Sequence, residues 1–160
     1  MAVFAGGGPT QFVIDILGYF TPVAEVFATG EVGAANGQQG LRFTAIPPSR
    51  AYDSRTVDGP IAGGQARTTT VIPASGQVPA GVGAVAFNLT ETDTLGRGHL
   101  RVAPGGSGIP AVSTINWYTD DMRVANGSVV AVNDDQMTTY ARTTRDGSSQ
   151  YLVDIGGYYN

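Results

Sequence analysis

Arg50, Asp53, Ser54 and Arg55 fall within six residues of a chain in which only 14% are charged. Two arginines around one carboxylate admit two kinds of chemistry. Asp53 can cap a turn and pair with an arginine, pinning the segment that enters the domain. Alternatively, the guanidinium groups form a fork for an external carboxylate or sugar acid. The structural role is the expectation. Asp15 and Asp154 stand between apolar neighbours, where a buried carboxylate needs partners. An arginine or backbone amides are expected to supply them.

Oxygen-rich clusters sit at two turns, Asp120 with Asp121 and Asn133 with Asp134 and Asp135. A calcium ion takes six to eight oxygen ligands, which makes these four aspartates the calcium candidates. No D-x-D-x-D-G spacing is present, so solvated turns are expected and no metal is assigned. His99 is the sole histidine and cysteine is absent. No serine lies in a nucleophile-elbow motif, so no catalytic residue is assigned. A glycosidase would need two convergent acids, which turn tips do not suggest. Trp117 shares a face with Ile115 and is expected in the core. Tyr118, with Tyr140 as its expected neighbour, is the candidate for stacking on a sugar ring. Asn88 and Asn126 head N-x-[ST] triplets and read as satisfied strand or turn asparagines.

These side chains must be positioned by strands. In 84–92, Val85, Phe87 and Leu89 alternate with Asn88 and Thr90 at period 2. Similar runs occupy 99–104, 113–119, 127–133, 137–143 and 150–159, with 67–71 as a further strand. Turn residues separate them at 96–98, 104–108, 119–121, 133–135 and 145–147. No helical stretch is visible. The fold class is therefore all-β, an antiparallel sandwich or barrel-like domain.

Residues 2–20 align without a gap on 141–159, with Ala2, Gly8, Gln11, Asp15, Ile16, Gly18 and Tyr19 identical in the second copy. The chain thus contains an extra N-terminal strand that repeats its last strand. Three parts follow: the repeated strand in 1–20, a Gly/Ala-rich linker over 21–41 and a complete β module over 42–160. Phe12, Ile14, Ile16, Tyr19 and Phe20 are the candidate assembly residues of the extra strand. Such a segment can add to the sheet of a neighbouring copy, and a head-to-tail contact of that kind builds a ring or filament. Pairing within the chain, or a remnant of a tandem array, are the alternatives. A linker of about 20 residues reaches roughly 65–70 Å when extended.

The net charge of −4 and pI near 4.7 argue against a nucleic-acid groove. No apolar run reaches the length of a membrane span. The start of the chain lacks the basic and apolar regions of a signal peptide. All nine basic residues are arginine, as in proteins from GC-rich genomes. Without cysteine there are no disulfides, and the redox compartment stays open.

The ordered blocks at 48–55 (PSRAYDSR), 78–92 (VPAGVGAVAFNLTET), 113–118 (STINWY), 125–132 (ANGSVVAV) and 152–159 (LVDIGGYY) resemble a known module. It is an extracellular β module found singly or in tandem in secreted bacterial, chiefly actinobacterial, proteins. The resemblance spans about 118 residues in the correct order, and the five blocks together are more specific than any block alone. The acidic tips at 119–122 and 133–136 depart from the family's Ala/Gly-rich turns. The resemblance implies an extracellular or cell-surface location, no catalysis and no cofactor. It also implies a structural or adhesive role through self-association or adjacent modules, with carbohydrate binding as accessory to a secreted enzyme as the alternative. This is analogy at the level of fold and does not name a ligand.

Overall fold

The computed structural model describes residues 41–160. The repeated strand in 1–20, with its assembly residues and Asp15, and the linker up to residue 40 lie outside the described residues. Nine strands follow in order: β1 (Phe43–Asp53), β2 (Ile61–Ala62), β3 (Ala66–Thr70), β4 (Ala84–Leu95) and β5 (Gly98–Pro104), then β6 (Ile115–Trp117), β7 (Val124–Ala131), β8 (Gln136–Thr143) and β9 (Ser148–Tyr159). The described residues contain no helix.

Two antiparallel sheets form. The first has the order β1-β9-β4-β7 with β2 also on β9, and the second has the order β3-β8-β5-β6. The sheets are separate, so the protein is an antiparallel β-sandwich and the barrel form of the expectation gives way. Strand β4 shows why they pack. Val85, Phe87, Leu89 and Glu91 point inward, while Ala86, Asn88 and Thr90 point outward. From the second sheet Leu100, Ile115, Trp117, Met137 and Ala141 face them, with Tyr151, Val153 and Ile155 of β9 completing the layer. Each large apolar side chain buried this way contributes about 1.5–3 kcal/mol.

Two elements differ from the sequence expectation. The segment that the Arg50–Arg55 block pins at the entry to the domain is an edge strand, Phe43–Asp53. Prolines remove ladder donors and argue against a strand. Here Pro47 and Pro48 sit in the register shift between Ala45 and Ser49, where β1 bulges away from β9. The run at 113–119 contracts to three paired residues, Ile115 to Trp117, held on Leu100, His99 and Gly98 of β5. A Cβ at Gly98 would clash with the edge of the Trp117 ring, at Cζ2, and with the Arg142 carbonyl oxygen. That close approach explains the glycine at the mouth of β5.

Candidate functional site

The arginine–aspartate block folds into a closed network on the outer face of the first sheet. Antiparallel register sets Arg50 of β1 opposite Asp154 of β9, and Asp154 opposite Asn88 of β4. Arg50 donates to both oxygens of Asp154, through Nε to Oδ1 and through Nη2 to Oδ2 at 3.1 Å, and its Nη1 donates to Asp53 at 2.9 Å. Asp53 also accepts from the Arg55 backbone amide at 3.0 Å, from its Nε at 2.9 Å and from its Nη2 at 2.7 Å. The Arg55 hydrogen bonds, opposed by partial burial, hold the Asp53 carboxyl down at about 2.

Ser54, between these charges, locks the turn to β9. Its amide donates to the Tyr151 carbonyl at 3.0 Å, its hydroxyl oxygen accepts the Tyr151 amide at 2.8 Å, and its hydroxyl donates to Gln150. With its hydroxyl engaged and no base beside it, Ser54 has no nucleophile's arrangement. The carboxylate oxygens all have donors, so the block acts as a latch between β1 and β9. Beside it lies a hollow of about 310 Å³ floored by Ala86, Asn88, Ser128, Asp154 and Gly156. It is shallow and mostly apolar.

The acidic tips are built for turning. Every non-glycine residue with positive φ among the described residues is an aspartate: Asp58, Asp93, Asp121, Asp134, Asp135 and Asp146. Aspartate tolerates this conformation because its short side chain bonds locally. The Asp120 carboxylate accepts the Gly96 amide at 2.6 Å, and the Asp135 carboxylate accepts the Gly81 amide at 2.7 Å. Gly96 and Gly81 flank opposite ends of β4, so the two pairs of calcium candidates do not converge. No three metal-ligating side chains gather among the described residues.

The two tyrosines also stay apart. Tyr118 is 69% exposed just past β6. Tyr140 is half-buried on β8 opposite Arg101, with its hydroxyl donated to the Ser107 carbonyl. Extending the β5–β6 register places Tyr118 beside Arg97, four residues along β5 from Arg101, or roughly 13 Å. Trp117 is buried, with its indole N–H directed to the Leu95 carbonyl at 3.3 Å. Asn88 donates to Thr90 Oγ1 at 3.2 Å, and Asn126 donates to the Thr114 carbonyl at 2.7 Å. Both triplet asparagines thus have partners. His99 Nε2 accepts from Arg101 Nε at 3.0 Å, which puts the proton of the neutral ring on Nδ1. Burial first, then the charges of Arg101 and Arg142, push the His99 pKa down.

Two residues escaped the sequence reading. Glu91 is fully buried between the sheets, opposite Tyr151 on β9 and Val124 on β7. Neither carboxylate oxygen has a hydrogen-bond partner among the described residues, and burial raises its pKa to about 7. The Tyr151 hydroxyl and Thr139 Oγ1 are also buried without a hydrogen-bond partner among the described residues; burial and the neighbouring Tyr52 push the Tyr151 pKa up. The signal for Glu91 was present, since it continues the inward positions 85, 87 and 89. Arg67 crosses from β3 to cap the carbonyls of Asp58, Gly59 and Pro60 at 3.1, 2.6 and 2.8 Å. A lone arginine within a threonine run was its only sign.

The fold and these clusters define a β-sandwich with a latched outer face and a polar buried patch. No protein-family model matches the chain, and no curated protein matches it.

Proposed function

We propose that this chain is a non-catalytic extracellular module with a structural or adhesive role, which assembles with adjacent modules or with other copies of itself by strand pairing, up to a surface filament. One observation carries the reading: residues 11–20 repeat the pattern of β9. In the sandwich β9 is a central strand, paired with β1 on one side and β4 on the other. A second segment of that pattern, rich in Phe12, Ile14, Ile16, Tyr19 and Phe20, suits a strand paired inside a sheet. Left unpaired, it is an aggregation hazard.

The edge at β7 supports this reading. Val132 donates its amide to the Gly83 carbonyl at 3.0 Å. By alternation, Ala125, Gly127, Val129 and Ala131 turn their amides and carbonyls away from β4. Strand β7 carries neither proline nor charge, whereas β1 on the opposite edge carries both. A strand arriving from another copy finds an acceptor there. Light scattering and negative-stain microscopy on the full chain and on a version starting at residue 23 test the reading. Oligomers or filaments from the full chain and a folded monomer from the shorter one are expected. Two monomers of equal stability would discard it.

A second reading, an accessory module that binds carbohydrate, is favoured by the exposure of Tyr118.

A further inference from the structure

Charge is divided between the two sheets. The strands of the first sheet carry four acids, Asp53, Glu91, Asp93 and Asp154, against one arginine, Arg50. The four strands of the second, with sequences ARTTT, GHLRVAP, INW and QMTTYART, hold three arginines and the only histidine and not one acid. In a chain of net charge −4, that segregation gives this sheet a field opposite to the molecule's average.

The pairing concentrates the cations further. Arg67 points inward to its carbonyls, but His99, Arg101 and Arg142 lie outward. Register places Asn116, His99 and Arg142 in one row across β6, β5 and β8, with Arg101 opposite Tyr140 in the next row. Arg97, one residue before β5, continues the alternation, so positions 97, 99 and 101 set basic groups about 7 Å apart along one line. Arg142 is exposed and makes no side-chain hydrogen bond or ion pair among the described residues. Arg101 spends Nε on His99 and Nη1 on the Pro110 carbonyl at 2.8 Å, leaving Nη2 for another acceptor. The acids nearest in sequence all lie outside these four strands: Asp93 on β4, and Asp120, Asp121, Asp134, Asp135 and Asp146 in turns.

We propose that the outer face of the second sheet binds an acidic polysaccharide, whose carboxylates are taken by Arg142 and Arg101 on either side of His99. A guanidinium offers a planar fork that matches a carboxylate. The Asn116 amide meets sugar hydroxyls, and Tyr118, beside Arg97 in the neighbouring row, supplies an aromatic face. Segment 105–110 covers the Thr138 and Tyr140 end of this face. The open part is therefore the strip from Asn116 through His99 to Arg142, with Arg101 at its border. Such a strip suits an extended chain of repeating charge better than one small ion. The proposal rests on the carbohydrate-binding reading and names its ligand class. It is independent of strand pairing.

His99 provides the measurement because it is the only histidine. NMR of its imidazole in the full chain would be followed during titration with hexagalacturonate, with a neutral galactose hexamer and with sodium sulfate. Hexagalacturonate is expected to move the His99 signals saturably and to raise its pKa, since a bound anion favours the imidazolium. Affinity should fall as salt rises and drop about tenfold in Arg142→Gln, the loss of one charge-assisted contact. Arg142 is exposed, so this variant should keep the fold. Binding of the neutral hexamer with equal strength leaves the carbohydrate reading and overturns the acidic one. A response to sulfate matching that to hexagalacturonate overturns the saccharide assignment. Silence with both oligosaccharides removes both readings, and unchanged affinity in Arg142→Gln removes the site.

Discussion

Asp154 and Glu91 are carboxylates on the adjacent central strands β9 and β4, one facing out and the other facing in. Asp154 lies at the sheet surface, where Arg50 donates to both of its oxygens and the latch with Asp53 and Arg55 closes around it. Glu91 lies between the sheets with no donor among the described residues. The two have similar chemistry, and only the side of the sheet differs. Paired at the surface, a carboxylate contributes little because water already solvates it well. Buried and unpaired, it must keep its proton or weaken the fold. In this sandwich the inconspicuous acid therefore governs stability more strongly than the conspicuous ionic cluster.

The largest effect should come from titrating Glu91. Its folded-state pKa of about 7 lies above the ordinary 4.5, so the folded protein holds this proton more tightly than the unfolded chain does. The stabilisation is complete below about 4.5, declines as pH rises towards 7 and is lost above it. About 3 kcal/mol of unfolding free energy should disappear across that window. Urea unfolding at pH 4.5 and pH 8 measures the loss. In Glu91→Leu the pH 8 value should rise towards the value at low pH. A wild-type profile flat from pH 4.5 to 8 would show that the carboxylate finds a partner or solvent.

The latch should respond with the opposite sign. Asp53 is held down at about 2 by its hydrogen bonds to Arg55, so its contribution is present above about 4 and lost as pH falls towards 2. Because both arginines are nearly half exposed, solvent screening reduces this to about 1 kcal/mol. Asp53→Asn should cost that amount at pH 7 and only a small part of it at pH 2, where the carboxyl is half protonated. Equal cost at both values would mean that the loss comes from the turn geometry and not from charge.

Much of this contrast was legible in the chain. Alternation in 84–92 identified the inward face of β4, and the block from Arg50 to Arg55 announced an ion pair because charge is scarce around it. Trp117 was legible as core from its spacing to Ile115. Strand β1 was hidden because Pro47 and Pro48 interrupt it, and a bulge that absorbs prolines cannot be seen from one strand alone. Glu91 was hidden for a different reason. Its place on the inward face follows from period 2, but a charged side chain conventionally ends a buried run. The row of Asn116, His99 and Arg142 could not be read at all, since it depends on cross-strand register between segments 17 and 43 residues apart. Left-handed aspartates at the turns were visible as acidic tips, and the backbone conformation that uses them was not.

The smallest effect concerns the conspicuous pair itself. Arg50 donates to Asp154 with two nitrogens, and the arrangement looks strong in a list of contacts. Its side chain is 43% exposed, however, and that of Asp154 is 24% exposed, so water competes for both ions and screening is efficient. Arg50 also divides its donors between Asp154 and Asp53, so losing one acceptor leaves it the other. A double-mutant cycle with Arg50→Met and Asp154→Asn should therefore return a coupling of about 0.5 kcal/mol. Chemical unfolding at pH 7 in low and high salt provides the measurement, and salt should reduce the coupling further. A coupling of several kcal/mol that salt does not touch would place Asp154 in the same category as Glu91, and the contrast between the two faces would collapse.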